Sequence, residues 1–284
     1  MNQNTIRGEV YAGLADAVAT NVDANAESLS QRIILPSSFA GSTRHMQQLL
    51  QDPLAINCHF KASDLFLTMT SSAWPEIWDE LKSGQTAADC PDVVVHAFFA
   101  KQKQLIKDID TSIFGKVFSY VFTIEFQKCG LPHMHCIIFL SEESKIHTPE
   151  QIDSILSSEF AEDNPELLEL VKKLMVYNLC GAENPTAPCM QHRKCTKGFP
   201  KPFRNQTTIS EDSYASTRCH NTRHTHEVQE KQVDNHWVVT YSAYLIWKYH
   251  CHINIKSITS IKAVKYIIKY VYKGHDRITM QFGT

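Results

Sequence analysis

The sequence is poor in glycine and lacks the glycine-rich loop that many proteins use to hold nucleotide phosphates. It has 10 glycines in 284 residues, and no G-x-x-x-x-G-K-[ST] run occurs. The backbone N–H groups of such a loop cradle the phosphates of ATP. We therefore expect no ATP binding or hydrolysis within this chain.

Long apolar runs and regular cysteine spacings are missing as well. No segment approaches the roughly 20 apolar residues of a membrane helix, and no apolar stretch near Met1 is typical of a signal peptide. The nine cysteines are odd in number and unevenly spaced, which does not favour a disulfide framework. We expect a nuclear or cytoplasmic protein that is not secreted and does not contact a membrane.

Neither sign of charge dominates the chain as a whole. The formal net charge is −2, which argues weakly against a nucleic-acid binder. Residues 142–169, however, hold nine acidic residues and one lysine, so the rest of the chain has a positive excess. Part of that excess alternates with phenylalanines between residues 193 and 204, a composition that suits single-stranded DNA, although it also suits a solvated surface. The candidate DNA contacts here are Arg193, Lys197, Lys201 and Arg204.

A predicted β-hairpin carries the most informative cluster of polar side chains. Residues 116–127 alternate as a half-buried strand, residues 133–140 form its partner, and residues 128–132 supply the glycine and proline of the loop. If Gln127 lies opposite His133, then Glu125 lies opposite His135, and all four side chains share one face. Two imidazoles and a carboxylate in that arrangement predict a divalent metal site, while two hydrogen-bonded core histidines are the alternative.

A helix predicted over residues 261–273 carries two tyrosines one turn apart. Tyr266 and Tyr270 project away from its apolar stripe, and three lysines lie beside them: Lys262, Lys269 and Lys273. A phenol has a pKa near 10, but nearby lysines and a phosphate polarised by a divalent cation would allow it to attack a phosphodiester. The alternative is a solvated amphipathic surface.

The amino-acid sequences of several segments resemble those of a known family. They are Q-R-I-I-L-P-S-S-F-A-G-S-T-R-H at residues 31–45, W-P-E-I-W at 74–78, E-F-Q-K-C-G-L-P-H-M-H at 125–135 and K-A-V-K-Y-I-I-K-Y-V-Y-K-G at 262–274. Together they resemble the replication-initiator, or helicase-like, domain of Helitron rolling-circle transposases, within the HUH endonuclease superfamily.

That resemblance implies a site and a substrate. It implies His133 and His135 as ligands of magnesium or manganese, Glu125 as the third ligand and Gln127 as a residue behind them. It also implies Tyr266 as the first nucleophile, Tyr270 as the second, and single-stranded DNA as the substrate. The helicase part of such transposases has no counterpart here, so we expect a fragment or a decaying transposon copy.

The sequence departs from the family at several positions. Cys129 and the run from Ser216 to Cys219 stand where arginines are expected, and Lys256 stands where the family has glutamate. Because arginine pairs with phosphate through two parallel hydrogen bonds, these losses should weaken DNA binding even if the metal site is intact.

One segment is dense in cysteine. Cys180, Cys189, Cys195 and His192 are candidate ligands of a structural zinc ion, although the spacing lacks a C-x-x-C pair. Tyr177 stands where the family has histidine, which removes one ligand. Unpaired thiols in a loop-rich segment are the alternative.

The predicted fold is an α+β domain with a central, mostly antiparallel sheet of the HUH endonuclease type and helices flanking it. We expect a flexible segment at residues 1–30, the initiator domain at residues 31–284, and a Cys/His-rich, basic insertion at residues 180–235. Strands are predicted at residues 65–70, 237–245 and 251–255, and helices at 92–109 and over much of 149–177.

Three functions of different classes fit these features. The first is a metal-dependent, tyrosine-using DNA nickase and strand transferase. The second is a remnant that binds DNA but does not cut it. The third is an interaction module organised by zinc.

Overall fold

The computed structural model describes residues 63–71, 74–126, 130–210 and 214–259, and the single positions 38, 48 and 51. The chain divides into two units, Met1–Gln48 and Leu49–Thr284. Nearly all described residues belong to the second unit. The segment predicted to be flexible, residues 1–30, lies outside the described residues.

The described part of the second unit contains eight strands and five α-helices. The strands are β1 (Leu65–Thr70), β2 (Val117–Phe126), β3 (Pro132–Leu140), β4 (Met190–Gln191), β5 (Lys194–Cys195), β6 (His226–Val228), β7 (Lys231–Val233) and β8 (Ile253–Ser257). The helices are α1 (Pro75–Trp78), α2 (Pro91–Asp110), α3 (Pro149–Ile155), α4 (Pro165–Leu174) and α5 (Ala243–Tyr249).

A four-stranded antiparallel sheet in the order β2-β3-β1-β8 forms the centre of this unit. Every residue of β3 is buried, because β3 is an inner strand with a neighbour on each side. One face of the sheet packs against α2 and α5 through a single apolar cluster, which includes Leu67, Met134, Phe98 and Leu245. The predicted α+β class with a central antiparallel sheet is confirmed.

Proline marks the start of four of the five helices. Its missing N–H costs nothing in the first helical turn, where such groups have no helical partner. Asn164 and Thr148 precede two of these prolines and cap the helices, since their side chains accept hydrogen bonds from Leu167 N and Gln151 N. The caps divide the predicted helical region 149–177 into α3 and α4.

Residues 180–235, predicted as a Cys/His-rich insertion, contain the two short hairpins β4–β5 and β6–β7. Beside it lies a second apolar cluster, in which Val171 and Met175 at the end of α4 contact Val238 and Tyr241. Ile246 of α5 belongs to this cluster while Leu245 belongs to the first. Helix α5 therefore joins the insertion to the sheet.

The strand predicted at residues 237–245 is wrong. Residues 238–242 are extended but buried throughout, and they pair only through isolated bridges, Val176 with Val238 and Ser157 with Tyr241. The helix α5 begins at Ala243. Among the described helices, none combines the length and the apolar character needed to span a bilayer.

Candidate functional site

The β2–β3 hairpin brings Glu125, His133 and His135 together on one face of the sheet. The register differs from the predicted one: Glu125 pairs with His133, and Thr123 pairs with His135. The displacement is two residues, and side chains alternate between faces with a period of two. The three side chains therefore share a face as expected, although their pairing was wrong.

The reason for the different register is the position of Pro132. This proline pairs with Phe126 as the first residue of β3, so the loop comprises residues 127–131 rather than 128–132. Proline is tolerated at the first position of a strand because its missing N–H is not needed there. Its carbonyl is used, since it accepts a hydrogen bond from Ser71 N at 3.1 Å. Gln127 lies outside the described residues.

Each imidazole is held by a neighbouring strand. His133 Nδ1 lies 2.7 Å from Thr70 Oγ1 on β1, and His135 Nε2 lies 3.3 Å from Glu125 Oε1 on β2. The two rings are edge to face with centroids 4.4 Å apart, and Phe66 stacks on the ring of His135. Such contacts fix ring orientation, as the hydrogen bonds behind metal ligands do.

Burial controls the protonation of this site. It lowers the pKa of His133 to about 4, helped by His135 and opposed by Glu125. A neutral imidazole is the form that binds metal. A third histidine, His252, lies near His133 and has its pKa lowered by burial, while its Nδ1 lies 2.7 Å from the carbonyl of Leu174.

The predicted nucleophiles Tyr266 and Tyr270 lie outside the described residues, as do Lys262, Lys269 and Lys273.

The cysteine-rich insertion contains a second cluster of ligand atoms. The sulfur atoms of Cys180, Cys189 and Cys195 all lie within 4.8 Å of one another. The β4–β5 hairpin positions two of them, because Cys189 directly precedes β4 and Cys195 ends β5. Predicted ligand His192 is exposed at the turn of that hairpin and is not a member of the cluster. Three such sulfurs could bind a metal such as zinc.

The surroundings of Cys195 favour its thiolate. Burial opposes the charged form, but the N–H groups of Phe199 and Lys197 and the thiols of Cys180 and Cys189 outweigh it and lower the pKa of Cys195 to about 7. Burial raises the pKa of Cys180 instead. The cluster therefore offers one thiolate near neutral pH, and thiolate is the ligand that zinc requires.

Tyr177 lies against this cluster. Its ring stacks on Phe199 with centroids 4.1 Å apart. Burial, followed by hydrogen bonding with the thiols of Cys189 and then Cys195, raises the pKa of its phenol. The residue that replaces the family's histidine thus occupies the place next to the three sulfurs.

A cleft of about 1150 Å³ extends from the edge of the cysteine cluster to His252. Cys189 and Tyr177 line one part of it and His252 lines another. Its charged lining residues are Lys172, Lys173, Lys197, Lys231 and Glu183. Lys172 and Lys231 form ion pairs with glutamates, whereas Lys173 and Lys197 have no ion pair with any described residue. The cleft is therefore positively charged.

The basic residues predicted from the sequence fall in different places. Lys197 lines the large cleft, and Arg193 is exposed at the β4–β5 turn. Lys201 and Arg204 line a separate, smaller cleft. The sequence therefore grouped residues that the fold distributes over two surfaces.

Several residues of these clefts were missed from the sequence. His252 is the second residue of the predicted strand 251–255, but its proximity to His133 depends on β8 pairing with β1, a contact between residues about 190 positions apart. Lys173 and Lys231 come from α4 and β7, and no local pattern joins them. Only the alternation in β8 was a usable signal.

Comparison with known proteins gives one family. Residues 1–138 match the family described as the Helitron helicase-like domain at N-terminus. This range includes β1, α2, β2 and both histidines of β3. No curated protein matches the sequence. The match supports a transposon-related origin, and residues 1–138, slightly less than half of the chain, are similar to a Helitron helicase-like domain.

Proposed function

We propose that this chain is an HUH-type domain that nicks single-stranded DNA and transfers the cut strand. The observation that carries the proposal is the convergence of Glu125, His133 and His135 on one face of the hairpin, within the segment that matches the Helitron helicase-like family. A carboxylate and two neutral imidazoles form a donor set that suits manganese or magnesium.

The hairpin residues would hold the metal. A bound divalent cation polarises a phosphodiester and neutralises charge that develops on its oxygens. Thr70 holds the His133 ring through Nδ1, so Nε2 of that ring is the nitrogen left for a ligand. Phe66 packs on His135 and keeps its ring in place.

Tyr266 is proposed as the nucleophile on the basis of the family resemblance. Its phenolate oxygen would attack phosphorus and the bond from phosphorus to the 3′ oxygen would break. The products are a 5′ phosphotyrosine and a 3′ oxygen that takes up a proton. Tyr270 would perform the second attack, and the energy of the first linkage would allow strand transfer without ATP.

The large cleft is the proposed path of the DNA strand. Lys173 and Lys197 have no ion pair with described residues and can contact phosphates. The aromatic side chain of Tyr177 lines the same cleft, and bases stack on such rings. The cleft reaches His252 and therefore the neighbourhood of the proposed metal site.

A denaturing gel tests the proposal directly. We expect the protein, mixed with 3′-labelled single-stranded oligonucleotides and manganese, to form a covalent adduct with the label. Tyr266→Phe should reduce this adduct on the order of 10⁴-fold, because removal of a nucleophile abolishes its step. Single-strand binding in a native gel should be unchanged.

Tyr244→Phe is the matched control, because Tyr244 is an exposed phenol on α5. It should leave the adduct at the wild-type level. Strong binding without any adduct would contradict the nickase and favour the remnant that only binds DNA.

The cysteine cluster favours a second candidate, an interaction module organised by zinc. Its three sulfurs are brought together by a hairpin with little other regular structure, as in small metal-stabilised folds. This candidate predicts unfolding of the insertion by chelators and no salt-dependent affinity for DNA, so the same binding assays separate it from the first.

A further inference from the structure

Two lysine side chains share a small, largely buried cleft that the proposed nickase does not use. Lys201 and Lys256 both line this cleft of about 380 Å³, with Arg204 beside them. Burial lowers the pKa of both ammonium groups, and Lys256 lowers that of Lys201 further. No carboxylate occurs among the described residues that line the cleft. Two like charges in a site of low dielectric are costly without a counter-charge.

The two ammonium groups differ in their partners. Lys201 Nζ donates to Val238 O at 2.8 Å and lies 3.3 Å from Thr240 Oγ1, so neutral oxygens satisfy it. Lys256 Nζ lies 5.0 Å from the centre of the Tyr214 ring. Among the described residues, none forms a hydrogen bond or an ion pair with it.

The remaining lining groups supply further donors. Thr217 Oγ1 lies at the cleft and is 3.4 Å from Thr240 Oγ1, and both hydroxyls contact the buried Ser158. Arg204 adds a guanidinium. Ammonium, guanidinium and hydroxyl donors around one cleft, with no carboxylate among its described lining residues, form a combination suited to a phosphate oxyanion.

The cleft opens on the same side of the sheet as the proposed metal site. Lys256 pairs with Phe66 across the β8–β1 ladder. Residues opposite one another in an antiparallel pair point to the same face. Thr68 on that face of β1 pairs with His135, so Lys256 and His135 point to one face from different strands.

We propose that this cleft is a phosphate-binding site, in which Lys256 donates to the anion, Lys201 supplies a second positive charge, and Arg204 and Thr217 complete the cleft. The ligand is a phosphate group, either as the free anion or as part of a nucleic acid strand. The site does not depend on the nickase, since neither the metal ligands nor the tyrosines contribute to it.

Calorimetric titration of the full chain with inorganic phosphate tests this inference, at constant ionic strength with chloride as the other anion. We expect the wild-type chain to bind phosphate and Lys256→Met, which keeps the aliphatic stem, to bind it about tenfold more weakly or worse. Lys103→Met is the matched control, because Lys103 is an exposed lysine on α2, and it should bind as the wild type does.

Two further variants keep the test decisive if Lys256→Met folds poorly. Lys256→Arg preserves the charge and should retain phosphate binding. Lys256→Glu places a carboxylate beside Lys201 and should raise the melting temperature in phosphate-free buffer while removing the response to phosphate.

Competition between phosphate and a single-stranded oligonucleotide for the protein identifies the source of the bound phosphate group. Displacement of the oligonucleotide by phosphate in the wild type, but not in Lys256→Met, would assign the cleft to a DNA phosphate; independent binding of the two would assign it to the free anion. Equal phosphate binding by the wild type and Lys256→Met, or none by either, would overturn the proposal. Tyr266→Phe should not alter phosphate binding, so a failed nickase leaves this result interpretable.

Discussion

Tyr177 lies beside a cluster of three cysteines, to which its phenol is hydrogen bonded. Structural zinc sites have four protein ligands in a tetrahedral arrangement, and the cluster of Cys180, Cys189 and Cys195 provides three. A phenol whose pKa is raised by burial is a poor ligand because it holds its proton. We therefore expect this cluster to bind zinc more weakly than a complete four-ligand site.

Tyr177→His should strengthen zinc binding. An imidazole supplies the missing ligand, and a single well-placed group changes metal affinity by about 10- to 100-fold. Competition with a chromophoric chelator would measure the affinity, and elemental analysis would measure the stoichiometry. Cys195→Ser should lose the metal. His192→Ala is the control, because that imidazole is exposed and outside the cluster. Equal zinc affinities of the wild type and Tyr177→His would show that the side chain at position 177 does not reach the metal.

The histidine pair could be read from the sequence because its geometry is local. His133 and His135 are two positions apart on one strand, and alternation alone gives them a common face. Thr70, which holds His133, could not be predicted, because it lies 63 residues away on a strand whose pairing with β3 no local pattern reveals. The cysteines could likewise be identified because they are close together in the sequence. Tyr177 could be identified because the resembling family has histidine at its position.

At the scale of elements, a buried carboxylate joins α2 to α5. Asp108 Oδ2 accepts hydrogen bonds from Lys248 Nζ and Tyr249 Oη, both at 2.6 Å. Burial alone would raise the pKa of Asp108, but these hydrogen bonds outweigh it and lower that pKa. The contact therefore stabilises the packing of two helices that cover the same face of the sheet.

Asp108→Asn should lower the free energy of unfolding by about 1–2 kcal/mol near pH 7, because the amide keeps the shape of the carboxylate but loses its charge. The loss is limited to this size because Lys248 is partly exposed, and solvent screens its interaction with Asp108. The folded-state pKa of Asp108 is depressed, so its contribution is present above the pKa of an unfolded aspartate, about 3.9, and is lost as pH falls through the folded value. Urea denaturation at neutral and acidic pH would measure the free energies of unfolding of the wild type and Asp108→Asn. The difference between them should become smaller as the pH falls below about 3.9.

Asp110→Asn changes the same charge two residues away at an exposed position on α2. It should alter stability by less than about 0.5 kcal/mol. A loss equal to that of Asp108→Asn would mean that net charge, rather than the contact between α2 and α5, explains the effect.

The elements with strong local signals were predicted best. β1 was predicted at its observed bounds, and α2 differs from its prediction by one residue at each end. The failure at residues 237–245 has a physical cause: Val238 to Ser242 are buried on all sides, so neither the period of a strand nor that of a helix is imposed there. The short helix that begins at Pro75 ends at Trp78, after which the chain continues in turns.

At the scale of the whole second unit, acidic and basic residues are separated. The acidic run 142–169 covers α3 and the start of α4, whereas the lysines at the end of α4 line the large cleft together with Lys197 and Lys231. A net charge of −2 hides this separation. The electrostatic attraction for a DNA strand depends on the local field of a groove rather than on the net charge.

Lys173→Ala should weaken binding of single-stranded DNA severalfold and reduce the slope of log affinity against log salt by about 1, because one phosphate contact is lost. Lys103→Ala removes the same charge from α2, which packs on the face of the sheet opposite to His133 and His135. This variant should leave the affinity for DNA and the salt slope unchanged. Fluorescence anisotropy at several salt concentrations would measure them. If the two variants reduced the slope equally, the cleft beside the cysteine cluster would not be the path of the strand, and the DNA would have to cross another surface to reach the histidines.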